Sequence, residues 1–520
     1  MNIFARNDMK KILTASQMKE YDTYTIEQIG VPSMVLMERA AYSVFEEIKA
    51  YAVDTKLKPS KTKVLIVCGK GNNGGDGLAL ARMLFMEAYD VSVVMPAGTD
   101  NLSLECEKQF HILESLGLQI STHISKTEYD IIVDALFGIG LSRALEGVYA
   151  EVINQLNSMD GHKIALDISS GICADTGKVL GSAFRADKTI SFGFYKRGHF
   201  VGEAPNYSGK IICKNIGIAD ANLEASCDHA FTYEKNVLEL LPLRKPNGNK
   251  GTFGKVYIYA GSKDTIGAAI LCAKSAFHAG AGMVKVLCPS VYQSLFIQQL
   301  PEVMLTCYED NVNVSELEGK IIADLAWADV IIAGPGIGMD VTSEDILHVL
   351  MKYAKVPMVL DADALNMISS NELMRNLFIQ MNEQSEHINV VTPHVGEQSR
   401  LLGISATEIK ADPFKYAGLL SKTYHCLAIC KDARTIVAHG NEPKYVNITG
   451  NHGMATAGSG DVLSGIVGAH LAGSKDAFHS AVTAVYLHGV AGDYAAKSVG
   501  ERALIATNII EGMISLQKGQ

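Results

Sequence analysis

The chain has ten cysteines but no CxxC pair, and only Cys426 and Cys430 lie close together. Neither a zinc site nor a disulfide framework is indicated; the cysteines read as small buried hydrophobes of a reduced, cytoplasmic protein. No uncharged apolar run approaches the roughly 20 residues of a membrane span, and Met1–Asp8 lacks the apolar stretch of a secretory signal, so no membrane partner is expected. A surplus of base is also missing, with 46 Lys and Arg against 56 Asp and Glu and a formal charge of −10. That balance excludes a general binder of nucleic-acid backbone. It leaves open small anions held by backbone amides at a helix N-terminus. There is no GxxxxGK[ST] loop of a Walker-type nucleotidase, no repeat of 20–50 residues and no low-complexity tract. The one tryptophan, Trp327, and the nineteen methionines read as core.

At about 150 residues per domain, 520 residues make about three domains or two larger ones. Hydrophobic residues at 48% and charged residues at 20% are ordinary globular usage, ample for more than one core. Forty-seven glycines cluster after short apolar runs: Val64–Cys68 before Gly69, Asp130–Val133 before Asp134, and Val330–Ala333 before Gly334. Buried strands alternating with helical stretches such as Leu78–Met86 predict a parallel α/β protein. The segment 241–251, with two prolines, two glycines and three basic residues, breaks the alternation. It divides the chain into expected domains 1–240 and 241–520.

In the first half, Gly69, Gly71 and Gly74 formally fit GxGxxG, a weak match by itself. The next predicted strand, Val91–Val94, runs into Met95-Pro96 without the acid that would hold a ribose, so NAD binding in the dehydrogenase manner is not supported. Asn72, Asn73 and Asp76 instead offer amide and carboxylate oxygens in an anion-friendly turn, suited to a phosphate plus a hard cation, although a purely structural Gly/Asn turn reads the same way. Two further predicted strands end at Asp134 and Asp167. In a parallel sheet all three clusters share one edge and can meet in one crevice.

Asn72–Gly77, Asp134–Gly138 and Asp167–Gly171, together with Leu13–Met18 and Pro32–Glu38, resemble the NAD(P)H-hydrate epimerase domain over about residues 1–220. The resemblance implies a Rossmann-like α/β/α domain that epimerises hydrated NADH or NADPH at C6 with a bound potassium ion. By motif position, Asn73, Asp134 and Ser170 correspond to potassium ligands. Asn72, Asn73, Gly74, Gly75 and Asp76, then Gly138, Ile139, Gly140, Leu141, Ser142, Arg143 and Ala144, then Tyr149 and Asp167, correspond to substrate contacts. Asp167 is the expected acid/base, since inverting a hydroxylated carbon needs a proton relay. Ser169 stands where the family usually has proline.

In the second half, Gly450–Ile466 is a small-residue loop feeding an apolar helix whose first turn offers free N–H groups to a transferring phosphoryl group. Asp461 at that start is placed to deprotonate an attacking hydroxyl. As a bare motif, Gly458-Ser459-Gly460-Asp461 is equally a capped helix.

This stretch, with Lys250–Gly254, Gly334–Gly338, Asp361–Asn366 and Thr392–Glu397, resembles the ribokinase-like superfamily. Closer still is the ADP- or ATP-dependent NAD(P)H-hydrate dehydratase, over about residues 235–515. It implies phosphorylation of the hydrate's hydroxyl and loss of phosphate, with Mg2+ and ADP or ATP. Asp461 would be the base; Ala268, Gly338, His394 and Asp461 match substrate contacts; Lys431, Asp432, Ala433, Arg434, Thr435 and Gly460 match nucleotide contacts. Glu397 is placed to hold magnesium through water, and His394 taken alone reads as a capping histidine. Asp432 stands where the family commonly has glycine, and its carboxylate would repel phosphates unless it turns outward or meets the metal. Together the halves resemble a bifunctional NAD(P)H-hydrate repair enzyme: the dehydratase uses one epimer, the epimerase feeds it the other. The expected partners are small molecules and further copies of the chain. The alternative is a ribokinase-like vitamin-precursor kinase fused to a non-catalytic nucleotide-binding or protein-interaction module.

Overall fold

The computed structural model describes residues 9–125, 128–220, 229–234, 239, 244, 246–309, 312–474 and 476–518. The chain forms two compact units, Lys10–Ser226, which holds all of β1 but its first residue, and Cys227–Gln520 together with Met1–Met9.

The first unit contains β1 (Met9–Leu13), α1 (Ala15–Thr23), α2 (Ser33–Asp54), β2 (Lys63–Cys68), α3 (Asn72–Met86), β3 (Asp90–Val94), α4 (Leu104–Ser115), β4 (Ile120–Ser121), β5 (Ile131–Ala135), α5 (Val148–Ser158), β6 (His162–Leu166), β7 (Lys188–Phe192), β8 (Tyr195–Lys196) and β9 (Lys210–Lys214). Seven strands form a parallel sheet in the order β4-β3-β2-β5-β6-β7-β9. Alternate residues serve opposite faces. Val64, Ile66, Ile131 and Val133 pack with Leu36, Ala40, Leu78 and Leu113 of α2, α3 and α4, while Leu65, Val67 and Ile132 pack with Val152, Ile153 and Leu156 of α5. Both faces are covered, which is why the strands read as unbroken apolar runs. Helix α3 begins at Asn72, earlier than its apolar spacing predicts, so the glycine-rich stretch is largely its first turn. The glycines make this possible: a Cβ at Gly74 would run into the Gly69 carbonyl oxygen, and one at Gly77 into the side chains of Ala135 and Cys68.

The second unit contains β10 (Ala230–Tyr233), β11 (Lys255–Tyr259), α6 (Ile266–His278), β12 (Met283–Pro289), α7 (Gln293–Gln299), β13 (Met304–Tyr308), α8 (Val314–Trp327), β14 (Val330–Ala333), α9 (Val341–Tyr353), β15 (Met358–Leu360), α10 (Asp363–Ser370), α11 (Glu372–Gln384), β16 (Val390–Val391), α12 (Val395–Leu402), α13 (Ala406–Ala411), α14 (Pro413–Tyr424), β17 (Leu427–Cys430), β18 (Ile436–His439), β19 (Lys444–Val446), α15 (Ser459–Gly473), α16 (Ala477–Val499) and α17 (Ala506–Gln517). Its sheet runs β13-β12-β11-β14-β15-β16-β17-β18-β19-β10, parallel as far as β17 and then antiparallel through β18 and β19. Val256, Ile258, Val284 and Ile332 face α6, α15 and α16, whereas Lys285 and Thr306 turn to the other face and reach Asp324 of α8.

Strand β10 pairs with β19 and so belongs to the second unit, whereas a cut at 240/241 assigns it to the first half. Local composition marks where a chain is irregular, but a short strand joins whichever sheet holds its partner, and that partner lies far along the chain. Of the proposed seam, residues 241–243 and 245 lie outside the described residues.

Candidate active sites

The first site opens at the carboxyl edge of the first sheet. A cavity of about 820 Å3 is lined by Asn72, Asn73 and Asp76 of α3, by 138–141 after β5, by Tyr149 of α5, by Asp167 after β6 and by Asp22 of α1. Strand order explains the convergence, since β2, β5 and β6 are neighbours and deliver their ends side by side. Of the expected contacts, Gly74 and Gly75 are buried in the helix turn, and Ser142, Arg143 and Ala144 lie outside the cavity lining.

Asp134 is fully buried at the end of β5. Its Oδ1 accepts from Ser170 Oγ at 2.7 Å and from Leu136 N–H at 3.1 Å, and its Oδ2 accepts from Ser170 N–H at 2.8 Å. Burial pushes its carboxyl up to about 6 against these hydrogen bonds. Ser170 Oγ in turn accepts from Phe137 N–H at 2.9 Å. Asn73 keeps a buried carboxamide nitrogen with no partner, and turning the group over would put its oxygen there. An unneutralised buried carboxylate with a hydroxyl beside it fits a hard monovalent cation. Ser169, in the place of the family's proline, is buried and donates its hydroxyl to Tyr207 O at 3.2 Å, so side-chain anchoring does what ring stiffness would do.

Asp167 follows β6 with φ +63°, a backbone state unfavourable for most non-glycine residues. Two groups that sequence reasoning passed over hold it there. The wholly buried Lys196 ammonium pairs with Asp167 Oδ1, which also accepts from Phe192 N–H at 3.0 Å; Lys196 donates further to Ser191 Oγ at 3.1 Å and Phe192 O at 3.0 Å. His199 accepts from Lys196 N–H through Nδ1 at 3.1 Å, so its Nε2 carries the proton donated to Asp167 O at 2.9 Å. Burial and the Lys196 charge lower His199 to about 4, so the ring stays neutral. The available signal was Lys196-Arg197-Gly198-His199, a cluster of base directly after an apolar strand.

The second site lies at the carboxyl ends of β11, β14, β15 and β17. Asp361, following β15, is its hub: Oδ1 accepts from Lys431 Nζ at 2.7 Å and Oδ2 from Ser464 Oγ of α15 at 2.7 Å. A Cβ at Gly460 would stand 3.2 Å from Lys431 Nζ and 3.8 Å from Asp361 Oδ2, so the start of α15 lies against that ion pair. Burial, with the neighbouring Asp361 charge, pushes Asp461 up to about 6. Gly338 donates its N–H to Asp363 Oδ2 at 2.9 Å, and Gly336 lies against Ala268, which brings the loops after β11 and β14 together. Ala362, between Asp361 and α10, holds φ +49°.

His394 is the N-cap of α12, its Nδ1 accepting from Gly396 N–H at 2.9 Å, and Glu397 answers by accepting from His394 N–H at 2.8 Å. Glu397 Oε2 is thus engaged in the cap, while its Oε1 lies 3.3 Å from His394 Nε2. Residues 431–435 form the turn of the β17–β18 hairpin: Lys431 points inward, Arg434 donates to Ile448 O at 3.3 Å, and Asp432 turns outward to accept from Ala433 N–H at 2.9 Å. Ser459 contacts the half-buried His488 at 3.3 Å, a neighbour no local motif reveals. Among the described residues no group of three or more His, Cys, Asp or Glu side chains forms a metal cage.

Fold and sites together define a two-unit α/β enzyme class, with a carboxylate-lined pocket in the first unit and an Asp361–Lys431 pair beside a glycine-rich helix start in the second. Two family models match: "YjeF-related protein N-terminus" over 33–198 and "NAD(P)H-hydrate dehydratase" over 256–514. Bifunctional NAD(P)H-hydrate repair enzymes called Nnr from Moorella thermoacetica and Escherichia coli are 33% and 32% identical, covering 96% and 95% of this chain and 95% and 92% of their own. A Bacillus subtilis ADP/ATP-dependent NAD(P)H-hydrate dehydratase, co-crystallised with ATP/Mg2+, is 25% identical with a TM-score of 0.47 over 54% of this chain and 95% of its own. The chain belongs to the family of bifunctional NAD(P)H-hydrate repair enzymes.

Proposed function

We propose that the first unit interconverts the two C6 epimers of hydrated NADH and NADPH, and that the second unit dehydrates the S epimer back to the dinucleotide using ADP or ATP. The observation that carries this is that each unit presents an aspartate with a glycine-rich helix start: Asp167 lines one cavity with Asn72, Asn73 and Asp76 of α3, and Asp461 lies in the first turn of α15.

In the second unit Asp461 takes the proton of the C6 hydroxyl as that oxygen attacks the terminal phosphorus. The start of α15, Gly458 to Gly460, would cradle the transferring group, and Lys431, beside Gly460, would balance its charge. The ring nitrogen then expels phosphate from C6, and loss of a C5 proton restores the double bond. Magnesium would ride on the nucleotide's phosphates with Glu397 within reach through water, because both oxygens of Asp361 already accept hydrogen bonds from the protein whereas only Oε2 of Glu397 does. Lys431, Ala433, Arg434 and Thr435 would hold the nucleotide, and the outward Asp432 avoids its phosphates.

In the first unit Asp167 acts as acid/base on the oxygen exchanged at C6. Potassium would be held by Asn73, Asp134 and Ser170, supplying fixed positive charge beside the substrate. We also read the chain as cytoplasmic, in keeping with the free thiols of the nine described cysteines, and as a homo-oligomer, which sedimentation would test.

Supplied with both epimers and ADP, the purified chain should restore the dihydronicotinamide absorbance completely. A plateau at the share of one epimer would remove the first unit's role, no recovery would remove the second's, and a stable phosphorylated product would mark a kinase.

A further inference from the structure

The first cavity holds more acid than a single proton carrier requires. Asp22 of α1, Asp76 of α3 and Asp167 after β6 reach it from three separate elements. Of these three, only Asp167 forms an ion pair among the described residues, and the three N–H donors of Lys196 are all engaged, on Asp167, Ser191 and Phe192. Asp167 therefore has Oδ1 tied down by Lys196 and Phe192, leaving Oδ2 for the cavity. Asp76 has no ion-pair or hydrogen-bond partner among the described residues. Burial, with the Asp167 and Asp22 charges, holds its carboxyl well above the usual carboxylate range.

Inversion at C6 takes oxygen from one face of the ring and returns it to the other, so one group must give a proton and another must take one. We propose that Asp76 is that donor, working with Asp167 as the acceptor; this rests on the epimerase reading of the first unit. Asp76 passes its proton to the C6 hydroxyl, the C6–O bond breaks with its electron pair leaving on water, and the ring-nitrogen lone pair forms a C=N bond to C6. Water then adds to the opposite face. A new C6–O bond forms, the C=N electrons return to nitrogen, and Asp167 Oδ2 accepts the proton that water loses. The site finishes with Asp76 ionised and Asp167 protonated, which is the state required for the opposite conversion; exchange with cavity water resets it.

The groups facing Asp76 are Asp22 on α1, Asp167 and its partner Lys196, Cys68 on β2 and Cys106 on α4, with Lys70 and Glu105 also on the cavity wall. The test uses the full chain without nucleotide, following conversion of the purified R hydrate by chromatographic separation of epimers, with hydrate binding measured by calorimetry. Asp76→Asn is expected to lower kcat by a factor of about 100 or more while still binding the hydrate. Asp22→Asn should move the alkaline limb of the pH–rate profile to lower pH, because removing a negative neighbour makes the acid give up its proton sooner. Wild-type turnover in Asp76→Asn, loss of hydrate binding along with its rate, or an unmoved limb in Asp22→Asn each overturns the proposal. If Asp167→Asn is inactive while Asp76→Asn is normal, only this inference falls; if both turn over normally, the epimerase reading of Asp167 falls with it.

Discussion

Asp167 and Asp461 act in different surroundings, and each yields its own expectation. Lys196 is wholly buried against Asp167, so Lys196→Met leaves an uncompensated buried carboxylate. It should cost about 3–5 kcal/mol of stability, measured by denaturant unfolding of the full chain, and should abolish epimerisation. Asp461, held at about 6, is charged only above that pH. As a base it requires dehydration to rise as pH increases through about 6 and then level off, and Asp461→Asn should lower the rate by a factor of about 100 or more in steady-state assays. The strand-end aspartates were legible because a polar residue closing an apolar run stands out locally. Lys196, His199 and Asp22 were not, since their meaning comes from packing between elements distant in the chain. His394 shows the reverse: its capping geometry is what the residue by itself suggests.

The strands β2, β5 and β14 were readable as apolar runs, because sheets covered on both faces leave little polar alternation. The start of α3 was not, since glycine and asparagine carry turn propensity, and only the close approach of helix to strand explains why they are helical here. That approach makes the element fragile. Gly74→Ala would drive a methyl into the Gly69 carbonyl and should eliminate epimerisation while dehydration of the S epimer continues. Gly465 plays a similar part in α15: an added methyl meets Ser275 Oγ and Cys272 O of α6. Gly465→Ala is expected to destabilise the second unit by about 1–3 kcal/mol, read from its thermal transition. At the β5 end, potassium chloride should raise the first unit's melting temperature over a bulky monovalent salt, and Asp134→Asn should remove that difference.

At the scale of the molecule, both candidate sites are built from residues of their own unit. Mixing Asp167→Asn chains with Asp461→Asn chains should therefore restore full conversion of both epimers, as followed by absorbance; failure of the mixture would show that the hydrate must stay on one chain. The net charge of −10 repels anionic ligands at long range, so affinity rests on helix starts, buried lysine and bound cations. The division into two units was legible from two separate glycine-loop sets, but its position was not, because β10 finds its partner only in three dimensions. Joining both units in one polypeptide also fixes their dosage. Every translated chain delivers one isomerising and one dehydrating centre, so no change in expression can raise one step against the other, and the balance of flux between them is left to catalytic rates and nucleotide supply.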